Sequence, residues 1–498
     1  MNVNPITRLD YPDPDVIRVE DTYYMVSTTM HFMPGCEILQ SFDLVHWEHA
    51  TYVYETLDHT DAQQLKSGQN IYGQGMWAAS LRYHEGRFYI CFVANDTRKT
   101  YLYTSEKIDG PWKKQLIEGF YHDGSLLFDE DGRNYIVYGN DEIWITELNE
   151  DLTAPKKDGL HRLLVSDHKN PELGYEGSHI QKINGYYYIF LVHSLRDRWM
   201  RTEACFYSDS LEGEFTGGDV LCDDRGYCGQ GVAQGGIVDT PDGKWYAMLF
   251  QDSGAVGRIP ILLPVTWKDH FPVFGQNGHV PEEIEVHSTR TGYIYQPLVG
   301  SDDFCNGLLP RWQFNHDPDP RYYHLDALQG TYTITTREVC TELTQAVNTL
   351  TQRMSYPSCA AEVTVDASAL KDGDVAGLCA LQSCYAAVGI TKHHGKYEVL
   401  MLDKKEDGIL DMTEGIVVES HQIDFRLEAD FCNMKDEARC YYRVNKGDWL
   451  PIGTVHKLYF KLDHFTGCRF GLFCYAAEET GGSACFRDFK YYDVDEIS

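Results

Sequence analysis

The sequence predicts an all-β chain, a five-bladed β-propeller followed by a β-sandwich. Three observations carry this. Five times between residues 11 and 250 a short strand leads through a tight turn into an aromatic strand, at intervals of about 45 to 65 residues, the spacing of propeller blades. Helical periodicity is almost absent through residue 290, where short strands alternate with turns. Composition then shifts near Ser301-Asp302-Asp303-Phe304, and the strands beyond it keep a different rhythm with no blade motif.

The first unit opens at Tyr11-Pro12-Asp13-Pro14-Asp15. Two prolines bracket Asp13, remove backbone donors and push Asp13 towards an extended conformation just ahead of a hairpin over 16–19 and 23–26. The second unit runs from Trp77 through Glu85-Gly86 into 88–92, and the third from His122-Asp123 through Asp131-Gly132 into 135–138. The fourth runs from Tyr175-Glu176 through Asn184-Gly185 into 186–190, and the fifth from Ala233-Gln234 through Asp242-Gly243 into 245–248. Trp77, Asp123, Glu176 and Gln234 each stand nine residues before the turn glycine, and Asp13 stands eight before Asp21 in the same role. Residues 260–267 form the last strand of this region, and 283–300 read as a connector. Strands at 360–365, 375–381, 397–402, 458–462 and 469–475 build the sandwich. The domains are therefore expected at 1–298 and 299–498.

If each unit begins with the innermost strand of a blade, the five leading residues converge at one end of the central channel. Three of them, Asp13, Asp123 and Glu176, are carboxylates. Crowding like charges splits their pKa values, which lets one site hold both a base and an acid. The balance of 43 basic against 75 acidic residues, net −32, argues against nucleic acid and anionic membranes as partners, and no run of 18 apolar residues spans a membrane. Aromatics at 13%, with 34 Tyr, suit a strand-rich fold and a sugar-stacking site. Fifteen cysteines without a Cys-x-x-Cys pair, and an N-terminus without a signal-like segment, read as reduced thiols in a cytoplasmic protein. Asp129-Glu130-Asp131-Gly132 lacks the spaced ligands of a calcium loop and reads as a hairpin turn.

Asn4-Pro5-Ile6, Tyr11 to Asp15, Pro34-Gly35-Cys36, Trp77-Ala78-Ala79-Ser80-Leu81, His122-Asp123-Gly124-Ser125-Leu126, Tyr175-Glu176-Gly177 and Gly257-Arg258 together resemble the motifs of glycoside hydrolase family 43. The tail from Asp303-Phe304 to Phe486-Arg487-Asp488-Phe489 is similar to the concanavalin-like β-sandwich of its β-xylosidases. The resemblance implies inverting, exo-acting hydrolysis of small oligosaccharides that releases terminal β-D-xylose. An α-L-arabinofuranosidase or a bifunctional enzyme is the alternative; a noncatalytic sugar-binding propeller would be expected to have lost Asp13 or Glu176. It implies Asp13 as general base, Glu176 as general acid, and Asp123 as the carboxylate that orients Glu176 and keeps its pKa high. Inversion needs the acid and base about 6.5 to 9.5 Å apart. Arg258 resembles the arginine that touches base and substrate, and Trp77 and Phe32 would provide apolar walls. Where many members carry a channel histidine able to support calcium, this chain has Ala233 and Gln234, which leaves Gln234 as a candidate substrate-binding residue and implies that no metal is required, with Ca²⁺ the alternative. The sandwich is expected to close one side of the funnel, and a homo-oligomer is the family expectation.

Overall fold

The computed structural model describes residues 2–493, and among them no α-helix occurs. Five antiparallel four-stranded sheets form the propeller. Their innermost strands are Asp15–Val19, Met76–His84, Ser125–Phe128, Glu176–Ile183 and Val232–Asp239, the five predicted leading strands. Each pairs with the aromatic strand that follows, because a short turn, two residues in blades one, two and four and five residues in blades three and five, brings Val, Ile and Tyr-rich runs into register with their apolar faces inward. Residues 260–267 are not the last strand of this region: Arg258–Lys268 is followed by Phe271–Phe274 at the edge of the fifth blade. Within the connector, Glu283–Ile284 pairs with Asn2–Val3 at the chain's start.

The second part is a sandwich of a nine-stranded and a seven-stranded sheet. Its core, with Leu350, Val363, Leu378, Phe425, Phe470 and Phe486 fully or nearly fully buried, is continuous with Ala255, Val256 and Ile259 of the fifth blade. The junction is as tightly built as either interior. Arg353 pairs with Glu37 at 2.9 Å and stacks 4.1 Å over the Tyr11 ring, all three buried. Asp10 accepts from the backbone N–H groups of Arg258 (2.7 Å) and Gly467 (2.8 Å), tying the fifth blade to a loop of the sandwich. A Cβ at Gly257, whose φ is +105°, would stand 2.3 Å from Asp10 Oδ1, so the close approach requires glycine.

Two predicted placements are corrected here. Residues 458–462 are not a strand; the strand ends at Lys457, and the chain loops over the mouth of the propeller before Arg469–Ala476. Phe32 does not wall the channel: Phe32–Met33 pairs with Gln313–Asn315 as the edge of the nine-stranded sheet, and Phe32 is fully buried with the Arg469 guanidinium 3.4 Å above its ring.

Candidate active site

The top of the channel is a cavity of about 510 Å³. Asp13, Trp77, Asp123, Glu176, Gln234 and Arg258 all line it, so six of the seven predicted site residues meet there. The repeat explains why. Register shifts interrupt the inner strands at Met76/Ala79, Glu176/His179 and Ala233/Gly236, and such bulges turn a leading side chain out of the sheet. Asp13, Asp123 and Gln234 take φ values of +53°, +48° and +68°. Asp13 is thus left-handed rather than extended; contacts across the fold hold it against the local proline preference, as at other strained functional positions.

Asp13 is 7% exposed, its Oδ2 accepts from Thr28 Oγ1 at 2.7 Å and its Oδ1 accepts from Arg258 Nη1 at 3.2 Å. Asp123 and Glu176 stand together on another part of the wall. Asp123 Oδ2 accepts from the Gly177 N–H at 2.9 Å, and Glu176 Oε2 accepts from Asn140 Nδ2 at 2.9 Å. Between them His122 Nε2 lies 3.5 Å from a carboxylate oxygen of each. The ligand atoms of these three lie within 4.8 Å of one another, a group that does not include Asp13.

His122 changes the expected electrostatics. Burial disfavours its charge, but Asp123 and Glu176 overcome this and push the imidazole up to about 9. Burial, against the pull of His122, pushes Asp123 up to about 6. Burial also raises Glu176, yet the hydrogen bond and charge of His122, with Arg201 and Arg258, bring it below the ordinary range. Asp123 is therefore the lifted carboxyl and Glu176 the lowered one.

Other lining residues left no mark in the repeat. Arg201 opens the third strand of the fourth blade and is joined to Arg258 through Asp252, which accepts from Arg201 Nε at 2.8 Å and lies 3.4 Å from Arg258 Nε. Phe460, Leu462 and Phe465 reach in from the sandwich loop; Phe465 lies 5.7 Å from Trp77 and 4.4 Å under the Arg258 guanidinium. His122 was adjacent to a predicted residue, whereas Arg201 and Phe465 occupy no repeat slot. Gln234 packs with its Cγ 2.7 Å from where a Cβ at Gly177 would be, which keeps that position a glycine.

Deeper on the axis a second polar network joins four blades. Arg82 donates to Leu126 O (2.8 Å), Asp15 Oδ2 (2.8 Å), Leu81 O (2.6 Å), Ser125 Oγ (2.7 Å) and Ile180 O (3.2 Å), and His179 Nδ1 lies 3.0 Å from Asp15 Oδ1.

The sequence profile of Glycosyl hydrolases family 43 matches residues 3–272, more than half of the chain. The chain belongs to glycosyl hydrolases family 43. The profile of the Beta xylosidase C-terminal Concanavalin A-like domain matches residues 301–492. Among family relatives, a beta-xylosidase of Formosa agariphila is 26% identical over 99% of this chain and 89% of its own, and a xylosidase/arabinosidase of Butyrivibrio fibrisolvens is 24% identical over 99% of both. A bifunctional GH43-CE structure from Bacteroides eggerthii is 42% identical and superposes over all of this chain with a TM-score of 0.93; this chain spans 64% of its length. An engineered GH43 glycoside hydrolase with endo-xylanase and exo-arabinofuranosidase activity superposes over 99% of both chains with a TM-score of 0.86 at 27% identity.

Proposed function

We propose that this chain is an inverting, exo-acting glycoside hydrolase that releases terminal β-D-xylose from xylo-oligosaccharides. The observation that carries the reading is the meeting in one cleft of Asp13, held by Thr28 and Arg258, with the Glu176–Asp123–His122 group, under a sandwich loop that contributes Phe460, Leu462 and Phe465 to the lining. In this reading Asp13 takes a proton from water as its oxygen attacks the anomeric carbon. Glu176, in its protonated form, gives the proton to the departing glycosidic oxygen, and Asp123 orients Glu176 through the Gly177 amide. The products are a sugar of inverted configuration and a shortened chain. Trp77, Phe465 and Met30 supply apolar walls and Gln234 a polar contact.

The saturated Arg82–Asp15–His179 axis supports a reaction that needs no resident metal. Fifteen unbonded cysteines support a reducing, cytoplasmic setting. The second reading, an α-L-arabinofuranosidase, is favoured by relatives named xylosidase/arabinosidase and by a non-reducing end alpha-L-arabinofuranosidase of Bacteroides ovatus, 26% identical over 66% of this chain.

Hydrolysis of 4-nitrophenyl β-D-xylopyranoside and 4-nitrophenyl α-L-arabinofuranoside side by side, with and without EDTA, tests both. Faster xyloside cleavage that survives EDTA, with the product's anomeric configuration inverted by NMR, is expected. Faster arabinoside cleavage moves the assignment to the second reading, and cleavage of neither refutes both.

A further inference from the structure

Arg201 is the cleft's unexplained cation. It is 6% exposed, lines the cavity beside Glu176 and Gln234, and among the described residues only its Nε–H finds an acceptor, Asp252 at 2.8 Å. A guanidinium carries five N–H donors, so the four on its two terminal nitrogens are unmatched, and Nη1 is fully buried without a partner. Arg82, by contrast, spends its donors on five acceptors, while Arg258 donates Nη1 to Asp13 at 3.2 Å and keeps its Nε 3.4 Å from Asp252 without a hydrogen bond. Burial disfavours the charge on Arg201, and Asp252, Glu176 and Asp13 together more than offset that, which places the group near base and acid alike. Buried donors without acceptors cost stability unless a ligand supplies them.

The charge count indicates which ligand. Three cations, His122, Arg201 and Arg258, face four carboxylates, Asp13, Asp123, Glu176 and Asp252, so the cleft already carries one negative charge in excess when all four are ionised. A neutral ligand leaves this excess as it is and a carboxylate adds to it. The free Nη1/Nη2 edge is a flat two-pronged donor suited to two adjacent oxygens.

Resting on the glycosidase reading above, we infer that Arg201 is a sugar-holding specificity residue whose terminal nitrogens donate to two adjacent hydroxyls of the unit bound between Asp13 and Glu176. Asp252 holds it in register with Arg258, and Trp199, 44% exposed with its ring 5.3 Å from the Arg201 guanidinium carbon, extends the wall outward.

The test couples side chain to hydroxyl. Arg201→Met and Arg201→Lys are assayed with the 4-nitrophenyl glycoside that the wild type prefers and with its 2-deoxy and 3-deoxy forms. Arg201→Met is expected to lower kcat/KM on the parent glycoside about 100-fold. The loss should shrink to a few-fold on the analogue missing a contacted hydroxyl, with Arg201→Lys intermediate and guanidinium chloride partly restoring Arg201→Ala. Equal loss on parent and deoxy substrates, or no loss, overturns the inference while a wild type active on the parent leaves the glycosidase reading standing. Fluorescence titration of the wild type and Arg201→Met with D-xylose, L-arabinose and D-glucuronate decides the matter independently of turnover. Weaker binding of a neutral sugar by the variant supports the inference, and wild-type preference for glucuronate, or no effect of the substitution, overturns it.

Discussion

Two layers of charge lie on the propeller axis, and in the first blade Asp13 of one stands two residues before Asp15 of the other. In the lower layer Asp15, Arg82 and His179 satisfy one another across four blades. In the upper layer Asp13 and Arg258 Nη1 keep each other as partners, but Arg201 Nη1, His122 Nε2 and Arg258 Nε, on residues that line the cavity, have no hydrogen-bond partner. Both layers are made of the same residue types. A saturated network holds the blades together, whereas an unsaturated one leaves donors and protons for a ligand.

The widest expected contrast breaks the upper layer chemically. Asp13→Asn should lose about 10³-fold or more in kcat on both xylobiose and 4-nitrophenyl xyloside. Glu176→Ala should lose as much on xylobiose and far less on the nitrophenyl substrate, whose leaving group needs no proton; thermal melting should stay within a few degrees for each. Equal loss on both substrates by Glu176→Ala would remove the acid from that position.

Breaking the lower layer should act the other way. Arg82→Met takes the guanidinium from Asp15, 1% exposed, leaving it only His179 and the Leu81 amide, and the expected cost is about 3 to 5 kcal/mol, read as a lowered denaturation midpoint. A variant that kept wild-type stability but lost activity would move Arg82 into the site.

The domain junction sharpens the comparison with a third kind of cluster. His31, His316 and His464 pack with ring centroids 4.8 Å (His31–His316) and 5.0 Å (His31–His464) apart, against Tyr72 and beneath the cationic Arg469. Burial, with the neighbouring imidazoles and Arg469, holds His31 well below the ordinary range, and burial and Arg469 bring His464 to about 3. The native state keeps them neutral while the unfolded chain protonates below about pH 6.5, so stability is full above that pH and falls as pH drops through it. At pH 5 each histidine costs about 2 kcal/mol. His464→Phe is expected to melt higher than the wild type at pH 5 and to show a smaller difference at pH 8; identical acid profiles would show that the cluster does not titrate on unfolding.

The smallest effect concerns proton placement. His122→Asn removes the largest influence lowering Glu176, so the carboxyl should rise and the alkaline limb of kcat/KM move to higher pH by up to about one unit. An unmoved limb would mean that His122 does not govern the acid.

Much of this was legible locally. A strand, a short turn and an aromatic strand interact within about twenty residues, so the blade slots of Asp13, Trp77, Asp123, Glu176 and Gln234 followed from spacing, and their convergence followed from the repeat. Phe32 was misplaced because its partner strand, Gln313–Asn315, lies some 280 residues away and pulls it into the sandwich. Residues 458–462 looked like a strand because their apolar run faces an active-site cleft instead of a sheet neighbour. The sequence by itself thus determined which carboxylates stand at the blade tips, since that depends on short-range pairing. Only the tertiary structure decided how His122 sets their protons, which arginine is left with free donors and which loop closes the cleft, because charge, burial and hydrogen-bond satisfaction depend on groups that the chain brings together from its far ends.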